Sequence, residues 1–378
     1  MLEIQKYLMT SGNSLETLNR DYAIKCKVID SLSCVSLNYD QFASDTSIPM
    51  VQECRALILQ LDSWKVLSYP FKRFFNIEEN KSAEFDWDSF DTWEKIDGSL
   101  ISFWFCPTTK SWQVSTRSCP DGSNSYDDFK ETFRELVCRT LGEMGTSFEE
   151  VTEYFMCDCS YTMELQTPET QVVTKVTNGS LHLLAIRDLV SLKEIHIHDF
   201  HRCYPDFPLP LVQHYPGFTL EVVKESVKER DAHAHEGYVL MDKHFNRIKV
   251  KSEAYIWMSS RRDAVAKSPR ARVELILSGK DDDVMGILPV FLQERVSSLK
   301  EKMLDFARQI EEDFEKFNVI EDQKQFALMV IKESVHAPAM FALRKKAVAN
   351  GFDFLCNSRP PAILEWLRLS DDAIEEND

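Results

Sequence analysis

The chain has no C-x-x-C pair. Its ten cysteines, Cys26, Cys34, Cys54, Cys106, Cys119, Cys138, Cys157, Cys159, Cys203 and Cys356, include one close pair, Cys157-x-Cys159. That spacing fits no common zinc site, so free thiols in a reducing compartment are expected. No apolar run reaches membrane length and no basic-then-apolar segment opens the chain, which points to a cytoplasmic protein with no membrane partner. Internal repeats and low-complexity tracts are also missing. Cations are in deficit: Lys and Arg number 44 against 61 Asp and Glu, a net charge of −17 over 378 residues. Such a balance argues against a general nucleic-acid coat but leaves room for a local basic groove, because phosphates feel the field at the site. The apolar share of 44% supplies a substantial core and excludes a disordered or collagen-like chain, and the length suggests two domains.

What is present divides near residues 255–265. From about 50 to 255 short strands alternate with turns, as at 56–59, 100–105, 112–116, 181–186, 237–241 and 248–251. One helix is expected over about 126–142, with Phe129, Phe133, Leu136 and Val137 on one face. After Ser268-Pro269, a cap and a first-turn proline, the pattern turns helical. Val296, Leu299, Met303, Phe306, Ile310, Phe314 and Phe317 recur every three or four residues, and further helices are expected near 322–334, 338–349 and 361–368. The acidic end, Asp371 to Asp378, is expected to fray. The reading is an α+β chain: residues 1–260 form an antiparallel-sheet domain and 261–378 an all-helical one.

Three segments carry chemistry. Glu94-Lys95-Ile96-Asp97-Gly98 stands before an apolar strand. A lysine amine attacks phosphorus only when neutral, so its ordinary pKa of about 10.4 must fall, through neighbouring cations or desolvation. Gly98 allows a tight approach to a ligand, and Asp97 can orient its neighbours or a sugar. About 140 residues later come His235-Glu236-Gly237-Tyr238-Val239 and then Arg247-Ile248-Lys249-Val250-Lys251. On a strand Lys249 and Lys251 share a face, a pair that suits a triphosphate and would depress a nearby lysine pKa. Between these segments Glu164 closes a strand, placed to accept from a ribose hydroxyl. Each has a plainer alternative: a surface turn, an edge strand guarded by lysines, a half-exposed carboxylate. Order and spacing together favour the chemical reading.

The set K-x-D-G, E-G-Y-V and K-x-K resembles the covalent nucleotidyltransferases, the superfamily of DNA ligases, RNA ligases and capping enzymes. Upstream, Glu53-Cys54-Arg55-Ala56 and Lys72-Arg73-Phe74-Phe75-Asn76 are similar to segments of the phage T4 RNA ligase 1 family. The resemblance covers about residues 50–265. It implies a nucleotidyltransferase domain with an ATP-grasp-like antiparallel sheet, using ATP with Mg²⁺ or Mn²⁺. Lys95 is then the adenylated nucleophile. Arg55, Arg73 and Arg117 contact the triphosphate, Phe75 packs beside the nucleotide, and Glu94, Asp97, Gly98 and Glu164 belong to the nucleotide site. Glu236 stands near the metal, and Lys249 and Lys251 face the α-phosphate. Ala56 replaces a frequent glycine, and arginine replaces lysine at 73 and 117, keeping charge while changing its geometry. The strand at 181–186 ends in Arg187-Asp188, which resembles the family's sixth recognisable segment.

The implied partner is RNA bearing 5′-phosphate and 3′-hydroxyl ends, with nicked tRNA as one possible substrate. From Lys243 to Arg272 nine cations face only Glu253 and Asp263, which suggests an RNA-binding strip. Lys280 to Asp283 and Glu311 to Asp313 are expected to face water. The alternatives are a DNA ligase or GTP-using capping enzyme, against which the lack of a barrel-like strand block after 255 speaks, and an inactive RNA-binding relative. Oligomeric state is not readable.

Overall fold

The structure, a computed structural model, describes residues 1–10, 12–40, 43–79, 85–125, 131–279, 281, 285, 288, 290–334 and 336–369. The chain divides into two compact units, Met1–Ile256 and Trp257–Asp378.

In the first unit the strands are β1 (Ile24–Ile29), β2 (Cys34–Tyr39), β3 (Arg55–Gln60), β4 (Val66–Ser68), β5 (Phe75–Asn76), β6 (Phe90–Lys95) and β7 (Ser99–Cys106). They continue as β8 (Ser111–Ser115), β9 (Cys159–Gln166), β10 (Ser180–Asp188), β11 (Glu194–Ile195), β12 (His214–Tyr215), β13 (Gly237–Asp242) and β14 (Arg247–Lys251). Its helices are α1 (Glu3–Met9), α2 (Leu15–Tyr22), α3 (Pro49–Glu53), α4 (Phe133–Glu143), α5 (Phe148–Glu153), α6 (Ile197–Cys203) and α7 (Leu220–Glu229). The division between units falls within α8 (Glu253–Lys267).

Three sheets result, ordered β1-β2-β3-β4, β11-β10-β9-β7-β8 and β12-β6-β13-β14-β5. All pairs are antiparallel except β14 with β5. Alternation decides which faces meet. Ile101 and Phe103 of β7 and Tyr161, Met163 and Leu165 of β9 enter one core, where α4 adds Phe133, Leu136 and Val137. Helix α4 starts where Thr132 accepts from the Glu135 amide and Glu135 accepts from the Thr132 amide, a reciprocal cap. The earlier part of the expected helix, with Phe129, lies outside the described residues. Behind the third sheet, Tyr238, Leu240, Ile248 and Val250 pack on Val223 and Val227 of α7.

The step from Asn38 to Leu37 against β3 skips a residue, so Ala56 is a bulge, and its φ is 59°. A left-handed φ is a glycine conformation and costs alanine roughly 1–2 kcal/mol. This accounts for glycine being frequent there in the resembling family. Ala56→Gly should therefore be neutral to stabilising by up to about 1 kcal/mol, after the entropy a glycine adds to the unfolded chain. A denaturation midpoint moving down at constant m would refute that.

The second unit is helical: α9 (Pro269–Leu277), α10 (Val290–Asn318), α11 (Gln323–Glu333), α12 (Ala337–Arg344), α13 (Gly351–Cys356) and α14 (Pro360–Trp366). Val296, Leu299 and Met303 face one core with Leu355 and Ile363, and Ile310 faces a second with Phe326 and Met340. The helix expected to run to 349 stops at Arg344, because Lys346 takes a φ of 53°. Asp281 does not face water as expected: it is buried, and Lys300 Nζ lies 2.5 Å from its carboxylate. Lys280, Asp282, Asp283 and the acidic end lie outside the described residues. Among the described residues no helix is long and apolar enough to cross a membrane. All ten cysteines are unpaired.

Candidate active site

Strands β6, β13 and β14 are neighbours, and their register sets Lys95 opposite Gly237 and Gly237 opposite Lys251. Segments far apart in sequence thus form one row. A Cβ on Gly237 would stand 2.1 Å from the Val250 carbonyl oxygen, so the row closes only around glycine. Glu236, just before it, is buried and reaches both ammonium groups. Lys95 Nζ lies 2.7 Å from Oε2, and Lys251 Nζ 2.7 Å from Oε1. Arg247, Lys249 and Lys251 share the half-buried face of β14, opposite Ile248 and Val250.

Electrostatics reverse the expected direction at Lys95. Burial disfavours the charged form of Lys95, but the Glu236 and then the Glu164 carboxylate outweigh it, and the pKa is raised. The depressed lysine is Lys249, brought to about 8 by burial and then by repulsion from Lys251 and Lys95. The two β14 lysines therefore do not hold Lys95 neutral in the free protein, because Glu236 lies between Lys95 and Lys251.

Beside this row opens a cavity of about 450 Å³, lined by Lys95, Glu164, Arg55, Arg117, Phe74 and Leu184 among others. Arg55 Nη1 and Arg73 Nε are buried without a hydrogen-bond partner among the described residues. Arg55 lines the cavity, and an unsatisfied guanidinium donor there suits an anion. Arg73 lies over the Phe75 ring at 5.1 Å and over Tyr39 at 5.5 Å, and Arg117 lies over Tyr39 at 5.0 Å.

Residues 53–258, more than half of the chain, match the RNA ligase family. The chain belongs to the RNA ligase family. Over 307 residues it is 28% identical to a protein of Autographa californica nuclear polyhedrosis virus described as a bifunctional polynucleotide kinase/RNA ligase. That match covers 76% of this chain and 42% of the viral protein, so the chain spans less than half of that relative. An RNA ligase of Rhodothermus phage RM378 is 24% identical over 321 residues, covering 69% of this chain and 71% of the phage protein. Among solved structures, a Naegleria gruberi RNA ligase variant with ATP and Mn superposes with a TM-score of 0.36 at 14% identity, covering 46% of this chain and 51% of that one.

Within this family member several expected residues take different posts. Asp97 does not line the cavity. Its carboxylate is taken up by the Val173 and Thr174 amides at 2.8 and 2.7 Å and by the Tyr255 hydroxyl at 2.6 Å, so it positions the lysine loop. Gly98 does line the cavity, but the close approach is to its own fold: a Cβ there would stand 2.3 Å from the Leu165 carbonyl oxygen. Phe75 is buried beneath Arg73 and does not line the cavity, whose aromatic lining includes Phe71, Phe74, Trp93, Phe133 and Phe245. Glu94 lines the cavity, while strand alternation turns its side chain to the reverse face. Arg187 donates to the Tyr69 and Pro70 carbonyls and to Glu194, bracing the chain before Phe71. Sequence reading missed Tyr39 and Tyr255. Tyr255 carried a faint signal, an aromatic four residues after Lys251.

Several cations of the basic strip have partners within the protein. Arg247 is paired with Glu194, Lys243 lies 2.7 Å from Asp86, and Arg270 pairs with Glu274. Arg272 is buried and donates to the Val265 and Ala266 carbonyls at the end of α8.

A divalent cation fits at Glu236: a buried carboxylate that already gathers two cations is a hard oxygen donor. Among the described residues no group of three His, Cys, Asp or Glu is assembled, so the remaining ligands would be phosphate and water. Burial pushes the Glu164 carboxyl up to about 8, against the opposing pull of Lys95. The unfolded acid ionises near 4.5, so the folded form binds the extra proton between 4.5 and 8 and stability falls as pH rises across that window. Glu164→Gln should raise the melting temperature at pH 8–9 and converge on the parent near pH 4. Equal melting temperatures at pH 9 would contradict the assignment.

Proposed function

We propose that the chain is an ATP-dependent RNA ligase that joins 5′-phosphate and 3′-hydroxyl RNA ends through a lysyl-AMP intermediate, in RNA repair that includes nicked tRNA. The observation that carries this reading is the row Lys95–Gly237–Lys251, bridged by Glu236, at the edge of a cavity of nucleoside size. The first unit is read as a nucleotidyltransferase domain of ATP-grasp-like type (1–260), and the second (261–378) as the part that selects RNA.

Lys95, an ammonium in the free protein, first gives up a proton, for which Glu236 Oε2, already hydrogen-bonded to Nζ, is the acceptor in place. The neutral Nζ then attacks the α-phosphorus, the bond to pyrophosphate breaks, and the second amine proton leaves to water or to the departing pyrophosphate. The AMP then passes to an RNA 5′-phosphate, and a 3′-hydroxyl displaces it to close the strand. Lys249, Lys251, Arg55, Arg73 and Arg117 stabilise the charge that gathers on the phosphates. Glu236 would hold Mg²⁺ or Mn²⁺, which when bound would add charge neutralisation at the phosphate.

Incubation with α-labelled ATP or GTP, followed by a denaturing gel, tests the reading. Label from ATP alone is expected. Label from GTP indicates a capping-type activity, and none from either indicates an inactive relative. A second expectation concerns the tail: removing residues after 262 should leave adenylation largely intact and weaken sealing of structured RNA. A folded truncation that seals tRNA-like breaks as well as the full chain would remove the substrate role of the second unit.

A further inference from the structure

Lys95 and Glu236 are each preceded by a polar residue with no part in the chemistry above. Alternation along β6 turns Lys95 toward the cavity and Glu94 to the reverse face, where the register sets Glu94 opposite Tyr238. His235 packs on the same Tyr238, with ring centroids 4.7 Å apart, and its Nε2 lies 4.0 Å from Glu94 Oε1. Two pairs of consecutive residues thus face each other across the β6–β13 border. The front pair, Lys95–Glu236, is closed at 2.7 Å, and the reverse pair, Glu94–His235, stands open at 4.0 Å.

His235 is only 3% exposed, and neither ring nitrogen has a hydrogen-bond partner among the described residues. A buried imidazole with both nitrogens unsatisfied calls for a reason. A shift of about 1 Å would bring it within hydrogen-bond reach of the carboxylate. The peptide bonds joining 94 to 95 and 235 to 236 link the two faces. A twist of the strand border that parted the front pair would bring the reverse pair together.

We propose that His235 is a positioning residue for nucleotidyl transfer: its hydrogen bond to Glu94 forms as Glu236 releases Lys95, and so favours the arrangement in which the amine is free to attack. The front contact is a buried charged hydrogen bond that is costly to break. The reverse contact, a buried donor on a carboxylate, offsets part of that cost. This inference rests on the reading of Lys95 as nucleophile.

The test is the single-turnover rate of lysyl-AMP formation, measured with the equilibrium dissociation constant for ATP and the melting temperature, in H235F, E94A, the double variant and E94Q. H235F keeps the ring and loses the nitrogens. It should form the adduct about ten-fold more slowly, the effect of one buried hydrogen bond to a charged group, with ATP affinity within about two-fold of the parent. E94A should be slowed alike, the double variant should be no slower than the slower single one, and E94Q, which still offers an acceptor, should regain most of the rate. A parental rate in H235F, or single effects that multiply, overturns the proposal. Should H235F not fold, E94A against E94Q decides, and equal rates for the two overturn it. Lys95→Ala is the control: if it still takes label, the nucleophile reading has failed, whereas a dead Lys95→Ala beside a fully active H235F ends this proposal alone.

Discussion

Lys95→Ala and Lys95→Arg are each expected to abolish the covalent enzyme–AMP species, a loss of at least about 10³-fold in single-turnover labelling. The alanine has no nucleophile. The arginine keeps the charge opposite Glu236, but a guanidinium does not deprotonate at working pH. The pair of variants separates chemistry from structure, because Lys95→Arg retains a cation for the buried carboxylate while Lys95→Ala removes one of its two partners. Lys95→Ala should therefore melt earlier than Lys95→Arg, and both should be silent on the gel. Labelling of either at an ordinary rate would move the nucleophile elsewhere.

Replacing Lys249 or Lys251 by alanine should slow adenylation by about two to three orders of magnitude, the scale on which a group that stabilises developing charge acts. Their effects on stability should differ. Burial and repulsion already disfavour the Lys249 charge, so Lys249→Ala should change stability by less than about 1 kcal/mol. Lys251→Ala strips one partner from buried Glu236 and should cost more.

The pH dependence follows from the same geometry. Lys249 loses its proton near 8, so the free enzyme's affinity for ATP should weaken as pH rises through that value. Lys249→Arg, always charged, should not show this weakening. Because carboxylates rather than these lysines set the Lys95 pKa, the acid limb of the adenylation profile should stay in place in Lys249→Ala. An optimum displaced upward would mean that the lysines do tune Lys95. A parental rate in either alanine variant would end the phosphate-site assignment.

Much of the architecture was legible because it rests on local periodicity. Alternation marked β3, β7, β8, β10, β13 and β14, and three- to four-residue spacing marked α10, whose apolar stripe packs as expected. The nucleotide motifs were legible for a related reason. Each is a short run whose residue types have a joint task, and the fold sets their runs side by side without altering them.

What stayed hidden depends on which side chains meet. Nothing in K-x-D-G says that Asp97 is consumed by two amides and Tyr255, since all three partners lie more than 70 residues away. A charge count could not show that Arg247 and Arg272 serve Glu194 and the end of a helix rather than RNA. The direction of the Lys95 shift was lost in the same way. By itself the sequence determined the family's motifs, the strand-rich and helix-rich halves, and the pairing of two lysines on one strand face, because these follow from spacing along the chain. Only the tertiary structure decided that Glu236 stands between Lys95 and Lys251, that Lys249 is the lysine held near 8, and that the ring nitrogens of buried His235 have no hydrogen-bond partner among the described residues. Electrostatic energies depend on distance in space and on burial, and neither is written in the order of the residues.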